Sequence, residues 1–353
     1  MKRKVLIYPY NDEVNYILEY SEMLDKIDIE NLVSPCGWYE CNKKYNVGKK
    51  SILVKDNYKD LIDKDCDIVW FVDSKYNLEF EKYYLEEIKL AIENNKEIII
   101  SQELEEKLKK YNLSIEKNRF KPSIIENKPE ITESLVEINT SIICICSIFK
   151  SLSKFDIQLS MRKEFIKRNI KISQVGSRND ANLFGFHSIP KFMYSSEYTD
   201  SEKIILFNRF IKNIEDEENP EIIVIGIPGE LSSVSNNFVA GFGLLALKLF
   251  LAISTDIAIV SLPYAEYKEE ELEGICNYLK MRFGIDVDFI NIAKKRFLIE
   301  ESETEQDFVY LTLDNKNIKT NEYTYDLSEL KEMERLINNS LIKLESYGEL
   351  NLI

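Results

Sequence analysis

Two lysines and four serines fall within one short stretch, Ser141-Ile-Ile-Cys-Ile-Cys-Ser-Ile-Phe-Lys-Ser-Leu-Ser-Lys-Phe-Asp156. It reads as an apolar strand, a polar loop, and a helix that opens on Lys154. Phosphate sites are built in this order, because successive backbone N–H groups and a helix N-terminus converge on one spot and a lysine supplies the formal charge. The standard loop has glycine, four residues, glycine, lysine, and then a serine or threonine whose hydroxyl binds Mg²⁺. Here no glycine is present, one extra residue separates Ser147 from Ser153, and Phe155 stands where the hydroxyl belongs. Ser147 and Ser153 take the places of the glycines, Ser151 lies between them, and Lys150 and Lys154 carry the charge. Three readings stay open: a site for ATP or GTP, a site for another phosphate, or a structural remnant of either.

The other residues with chemical potential lie downstream. The apolar run 221–227 leads into Pro228-Gly229-Glu230, so Glu230 takes the region where a metal-binding aspartate would end a second strand. Arg178 closes the run Lys171-Ile-Ser-Gln-Val-Gly-Ser177 and could grip an anion bidentately, or simply face solvent. Gln174 and Ser177 would support it from behind. His187, the single histidine, lies in Gly185-Phe-His-Ser-Ile-Pro190 and is either a general base or a hydrogen-bonded packing residue. No catalytic triad can be assembled by spacing. The six cysteines form no C-x-x-C pair, so neither a zinc site nor a disulfide framework is expected. Cys144 and Cys146 alternate with Ile143 and Ile145 on the strand and read as packing residues.

The elements that must position these residues alternate between strand and helix. In the first third, strands are expected at 4–8, 28–34, 52–54, 67–73 and 97–101, with helices after Asp12 and across 78–93. This is the pattern of a doubly wound α/β domain over 1–112. Ligands in such sheets sit beyond the strands' carboxyl ends, here 9–11, 34–37 and 73–75, although no glycine fingerprint accompanies them. Residues 113–137, with Pro122 and Pro129, read as a linker. A second α/β domain follows over 138–353, with strands at 141–146, 171–177, 221–227, 255–263 and 286–291 and helices at 156–168, 201–217, 238–247 and 269–283. The helix after the loop carries two apolar stripes: Phe155, Leu159 and Ile166, then Ile157, Met161 and Phe165. The acidic run 300–307 reads as a solvated connection, with a strand at 308–313 and a last helix over 326–347.

Composition bounds the function. The net charge is −15 over 353 residues, which counts against a nucleic-acid partner, since phosphate neutralisation needs a basic surface. No apolar run reaches the ~20 residues of a membrane span. A cytoplasmic protein is expected, and a homo-oligomer is left open.

Three segments carry a family resemblance: Lys154-Phe-Asp-Ile-Gln-Leu-Ser-Met-Arg-Lys-Glu-Phe, Gln174-Val-Gly-Ser-Arg178 and Leu183-Phe-Gly-Phe-His-Ser-Ile-Pro190. Together with the opening Val5-Leu-Ile-Tyr-Pro-Tyr, they resemble a clostridial-type peptide maturation system family. These are accessory proteins of natural-product (bacteriocin-type) pathways, found beside Cys-rich precursor peptides and the radical SAM enzymes that modify them. The resemblance implies the precursor peptide or the radical SAM maturase as partner. In layout, the second domain is also similar to P-loop proteins related to dethiobiotin synthetase, although the motif residues differ. The expected architecture is therefore two three-layer α/β domains, the first Rossmann-like and the second a degenerate P-loop NTPase-like domain with a mostly parallel sheet. The expected function is a non-catalytic accessory role. The alternative is an ATP- or GTP-dependent ligase or kinase-like enzyme that uses Lys154, with Glu230 near the metal.

Overall fold

The computed structural model describes the chain except residues 1, 12–13, 25, 39, 49, 63–65, 74–78, 123–128, 130–133, 179, 239–241, 306, 314–315 and 351–353. The chain divides into two compact units, Met1–Ile125 with Asn182–Gly185, and Glu126–Ala181 with Phe186–Ile353. Each is an α/β body.

The first unit runs β1 (Arg3–Tyr8), α1 (Asn15–Glu19), β2 (Ile27–Val33), β3 (Lys44–Val47), β4 (Lys50–Lys55), α2 (Tyr58–Ile62), β5 (Ile68–Phe71), α3 (Glu86–Glu93), β6 (Glu97–Ile100) and α4 (Gln102–Lys109). Its sheet has the order β3-β4-β2-β1-β5-β6. The pairs β1–β2, β1–β5, β2–β4 and β5–β6 are parallel, while β3 and β4 form an antiparallel hairpin at one edge. Residues from α2, α3 and α4, among them Ile62, Ile88, Ala91 and Leu104, bury one face together with Leu6, Val69 and Phe71. The central strands are apolar because they are covered, not because of any local turn signal.

The second unit runs β7 (Ser141–Ser147), α5 (Lys154–Lys167), β8 (Ile172–Gly176), β9 (His187–Ser188), α6 (Asp200–Glu218), β10 (Ile222–Gly226), α7 (Leu244–Ala252), β11 (Ile257–Leu262), α8 (Glu269–Phe283), β12 (Val287–Ile292), β13 (Lys295–Phe297), α9 (Ile299–Glu305), β14 (Tyr310–Thr312), β15 (Thr324–Tyr325) and α10 (Leu330–Leu350). Seven strands pair in the order β15-β12-β11-β7-β10-β8-β9, every pair parallel. Strand β7 lies at the middle, and its side chains divide by the two-residue period of a strand. Ile142, Cys144 and Cys146 enter a core built with α6, α7 and α8. Ile143 and Ile145 enter the opposite core, with Ile157, Met161 and Phe165 of α5 and Met333, Leu336 and Ile337 of α10. Three layers result, and the loop that leaves β7 opens at the carboxyl edge of the sheet.

Several expectations need correction. The helix predicted at 238–247 begins only at Leu244, after Phe242 and Gly243 in the left-handed region, and its residues 239–241 lie outside the described residues. The acidic run 300–307 is not a plain connection: α9 occupies Ile299–Glu305. The strand predicted at 308–313 is shorter and pairs antiparallel with β13, an element missed because three residues carry no period. Helix α4 was also missed, although Ser101 caps it by accepting a hydrogen bond from Leu104 N at 3.2 Å. Ile166, assigned to a buried stripe, is 55% exposed. Ile115 and Phe120, in the stretch read as linker, are buried, and Arg119 bridges Ile98 of β6. Ser74, Lys75 and Leu78, together with most of the linker's second half, lie outside the described residues.

Candidate functional site

Ser147, the last residue of β7, is fully buried, and its hydroxyl donates to the carbonyl of Phe149. The chain then turns back twice. Ser151 has φ 58° and Ser153 φ 59°. This is the left-handed region that glycine would normally occupy, at about 1–2 kcal/mol for a residue with a Cβ. The loop thus holds two serines in left-handed backbone without glycine. Its base is pinned by Ile148 N, which donates to Ser261 O at 3.1 Å, and by Ile148 O, which accepts from Leu231 N at 3.1 Å. Between the two serines, Leu152 is fully buried.

Lys154, the first residue of α5, points back under the loop. Its side chain is 8% exposed. Its ammonium donates to the carbonyls of Ile227, at 2.8 Å, and Gly229, just beyond β10. Burial pulls its pKa down to about 8, opposed by the nearby Cys146 thiol and the Glu230 carboxylate. A cation taken from water needs such partners, and here they are main-chain dipoles.

Glu230 follows directly and is 4% exposed. Its Oε2 lies 3.8 Å from Lys150 Nζ, and that ammonium also stands 5.9 Å above the ring of Phe308. The antiparallel pair β13–β14 contacts the outside of the loop. Tyr310 Oη donates to Lys150 O at 2.6 Å, and Lys295 Nζ donates to Ser151 O at 2.8 Å. Phe149 packs against Phe297 and Phe308, with ring centroids 4.8 and 5.9 Å away. Burial pushes the Tyr310 hydroxyl well above the ordinary tyrosine range, with Asp307 and Glu230 adding to it.

Phe155 lies against Phe186, edge to face at 5.6 Å, and is 5% exposed. The position that would carry the Mg²⁺-binding hydroxyl is therefore part of the core. Asp156 follows in the first turn of α5; burial raises its carboxyl, while Lys295 and Arg178 pull the other way. Arg178 Nε donates to Asp180 Oδ1 at 3.1 Å.

The supporting residues divide into two places. Gln174 and Ser177 are tied to Gln158, which is fully buried on α5. Gln174 Nε2 donates to Gln158 O at 3.0 Å, and Ser177 N donates to Gln158 Oε1 at 3.1 Å. His187 is not at the loop. Its Nε2 pairs with Glu218 Oε1 at 2.6 Å and its ring meets Phe210 edge-on at 5.8 Å, which is the packing alternative. Ser147, Lys150, Ser151, Ser153, Lys154 and Glu230 do gather around one loop. Asp156, Gln158, Lys295 and Tyr310 complete the setting. Asp156 closes the stretch that the sequence singles out, whereas Gln158 is one of several polar residues on α5 and nothing in the sequence marks it. Among the described residues no group of three or more His, Cys, Asp or Glu is placed to hold a metal ion, and no helix is long and apolar enough to cross a membrane.

No protein-family model matches the chain, and no curated protein matches it. Among solved structures, it is similar to a DUF1611 family protein from Anabaena variabilis. That match has a TM-score of 0.54 at 9% identity and covers 83% of this chain and 88% of the other. A likeness spanning both units supports the two-domain α/β fold and nothing finer. Looser likenesses, which decide nothing, are found to a plasmid partition protein from Borrelia burgdorferi bound to AMPPNP and to the MinD cell division protein of Aquifex aeolicus. The first has a TM-score of 0.35 at 14% identity over 59% of this chain and 99% of that one. The second has a TM-score of 0.31 at 12% identity over 57% and 86%.

Proposed function

We propose that the chain is an accessory protein whose loop at 147–154 receives a phosphate-bearing ligand, ATP or GTP foremost, without turning it over. The observation that carries this reading is the packing of Phe155 against Phe186. It puts an aromatic ring in the core where phosphoryl transfer requires a metal-binding hydroxyl. Lys154, Ser151 and Ser153 retain the charge and backbone course that suit a phosphate. The narrower reading, service beside a Cys-rich precursor peptide and a radical SAM maturase, rests on the sequence resemblance alone.

Two measurements test the proposal. Incubation with Mg-ATP or Mg-GTP should release phosphate no faster than buffer, and calorimetric titration should give binding that persists when Mg²⁺ is chelated. Turnover abolished by Lys154→Ala would instead establish the competing ligase or kinase-like reading, in which Glu230 serves a metal. The pairing of Glu230 with Lys150 speaks for the first. For the narrower reading, the precursor peptide and the maturase should co-purify with the chain, and it fails if neither does.

A further inference from the structure

Lys150 pairs with Glu230, and Lys154 bonds the carbonyl of the residue just before it. The carboxylate is 4% exposed, 3.8 Å from Lys150 Nζ, and next in the chain to Gly229, whose carbonyl accepts from Lys154. Its charge favours the ammonium form of Lys154. A buried carboxylate persists only where cations or donors compensate it, and one cation beside this one is Lys150, a side chain that would otherwise meet a phosphate. Tyr310 and Lys295 hold the outer carbonyls of the loop, so the backbone is braced independently of this charge balance.

We propose that Glu230 is a built-in counter-ion that takes the electrostatic place of the bound anion and weakens phosphate binding at the loop until it is neutralised or drawn away. The inference rests on the reading of the loop as a phosphate site and adds its regulation. An incoming phosphate brings like charge beside a carboxylate already paired with Lys150, and such juxtaposition is strongly unfavourable away from bulk water. The gate is a charge rather than a moving segment.

Calorimetry with inorganic pyrophosphate at fixed ionic strength tests it on the full chain. Glu230→Gln, which keeps shape and removes charge, should bind roughly tenfold tighter or more than wild type, the scale set by one lost like-charge contact. Adding Lys154→Met should erase the gain, placing the ligand at the loop; a gain that survives overturns the proposal. Equal or weaker binding by Glu230→Gln, with wild type still binding, overturns the proposal and leaves the phosphate reading standing. No binding by either folded protein overturns both. If Glu230→Gln does not fold, Glu230→Asp withdraws the carboxylate while keeping the charge and should show a smaller gain; unchanged affinity counts against the proposal.

Discussion

Gln158 of α5 lies against Gly226 of β10 so closely that a Cβ on residue 226 would stand 2.2 Å from Gln158 Oε1. The glutamine is held there by its own bonds. Nε2 donates to Val175 O at 2.8 Å and Oε1 accepts from Ser177 N at 3.1 Å, so one side chain laces the helix behind the loop to β8 across β10. The absence of a side chain at Gly226 makes room for this lace.

Gly226→Ala should therefore destabilise the protein by about 1–3 kcal/mol, the range for overpacking a close-packed interior. The denaturant midpoint reads the loss. Combined with Gln158→Ala, the second change should add much less than it does alone, because the clash is gone; full additivity would show that the two residues are not coupled.

Phe155→Thr restores a hydroxyl at the position where a metal-binding one is expected. It should lower stability by about 3–5 kcal/mol, the order seen when a large buried aromatic is truncated. It should not create ATP or GTP turnover. Phosphate release above buffer by the folded variant would contradict the accessory reading.

Lys154 makes a pH-dependent contribution whose sign is fixed. Its folded pKa of about 8 lies below its ordinary value of 10.5. Between those limits the unfolded chain binds more protons, so this contribution improves as pH rises and is least favourable below about 8. The stability difference between wild type and Lys154→Met should move in favour of wild type between pH 8 and 9.5, by at most about 1.4 kcal/mol per unit. Burial pushes the Cys144 and Cys146 thiols above this window in the folded protein, and losing Lys154, which pulls Cys146 down, moves that thiol further up, so both stay protonated when folded and their contributions cancel. A flat difference would mean that the lysine titrates normally.

Tyr310→Phe removes the hydrogen bond to Lys150 O while keeping the ring among Phe297 and its neighbours. A net loss of about 1 kcal/mol is expected, and amide exchange in 148–152 should quicken while exchange in β7 stays unchanged. Unaltered exchange in the loop would show that the β13–β14 pair does not brace it.

Much of the architecture could be read from residue order. Ile142 through Cys146 are apolar at every position because both faces of β7 are covered, and that continuity marks a central parallel strand. The change from that run to serines and lysines, and then to the helix at Lys154, located the loop. The loss of the motif residues was equally plain, since Phe155 is neither hydroxyl nor ligand wherever it points. Other features depended on contacts between distant residues. Lys295 and Tyr310 lie more than a hundred residues from the carbonyls they hold, and short β13 and β14 exist only as a pair, so no local period announces them. His187 could have served at the loop by sequence alone, but Glu218, from the far end of α6, fixes it elsewhere. The residue types set which chemistry the loop can no longer do, because that depends on atoms it lacks. Which carboxylate faces Lys150 was decided by tertiary structure, because charge balance depends on distance through space.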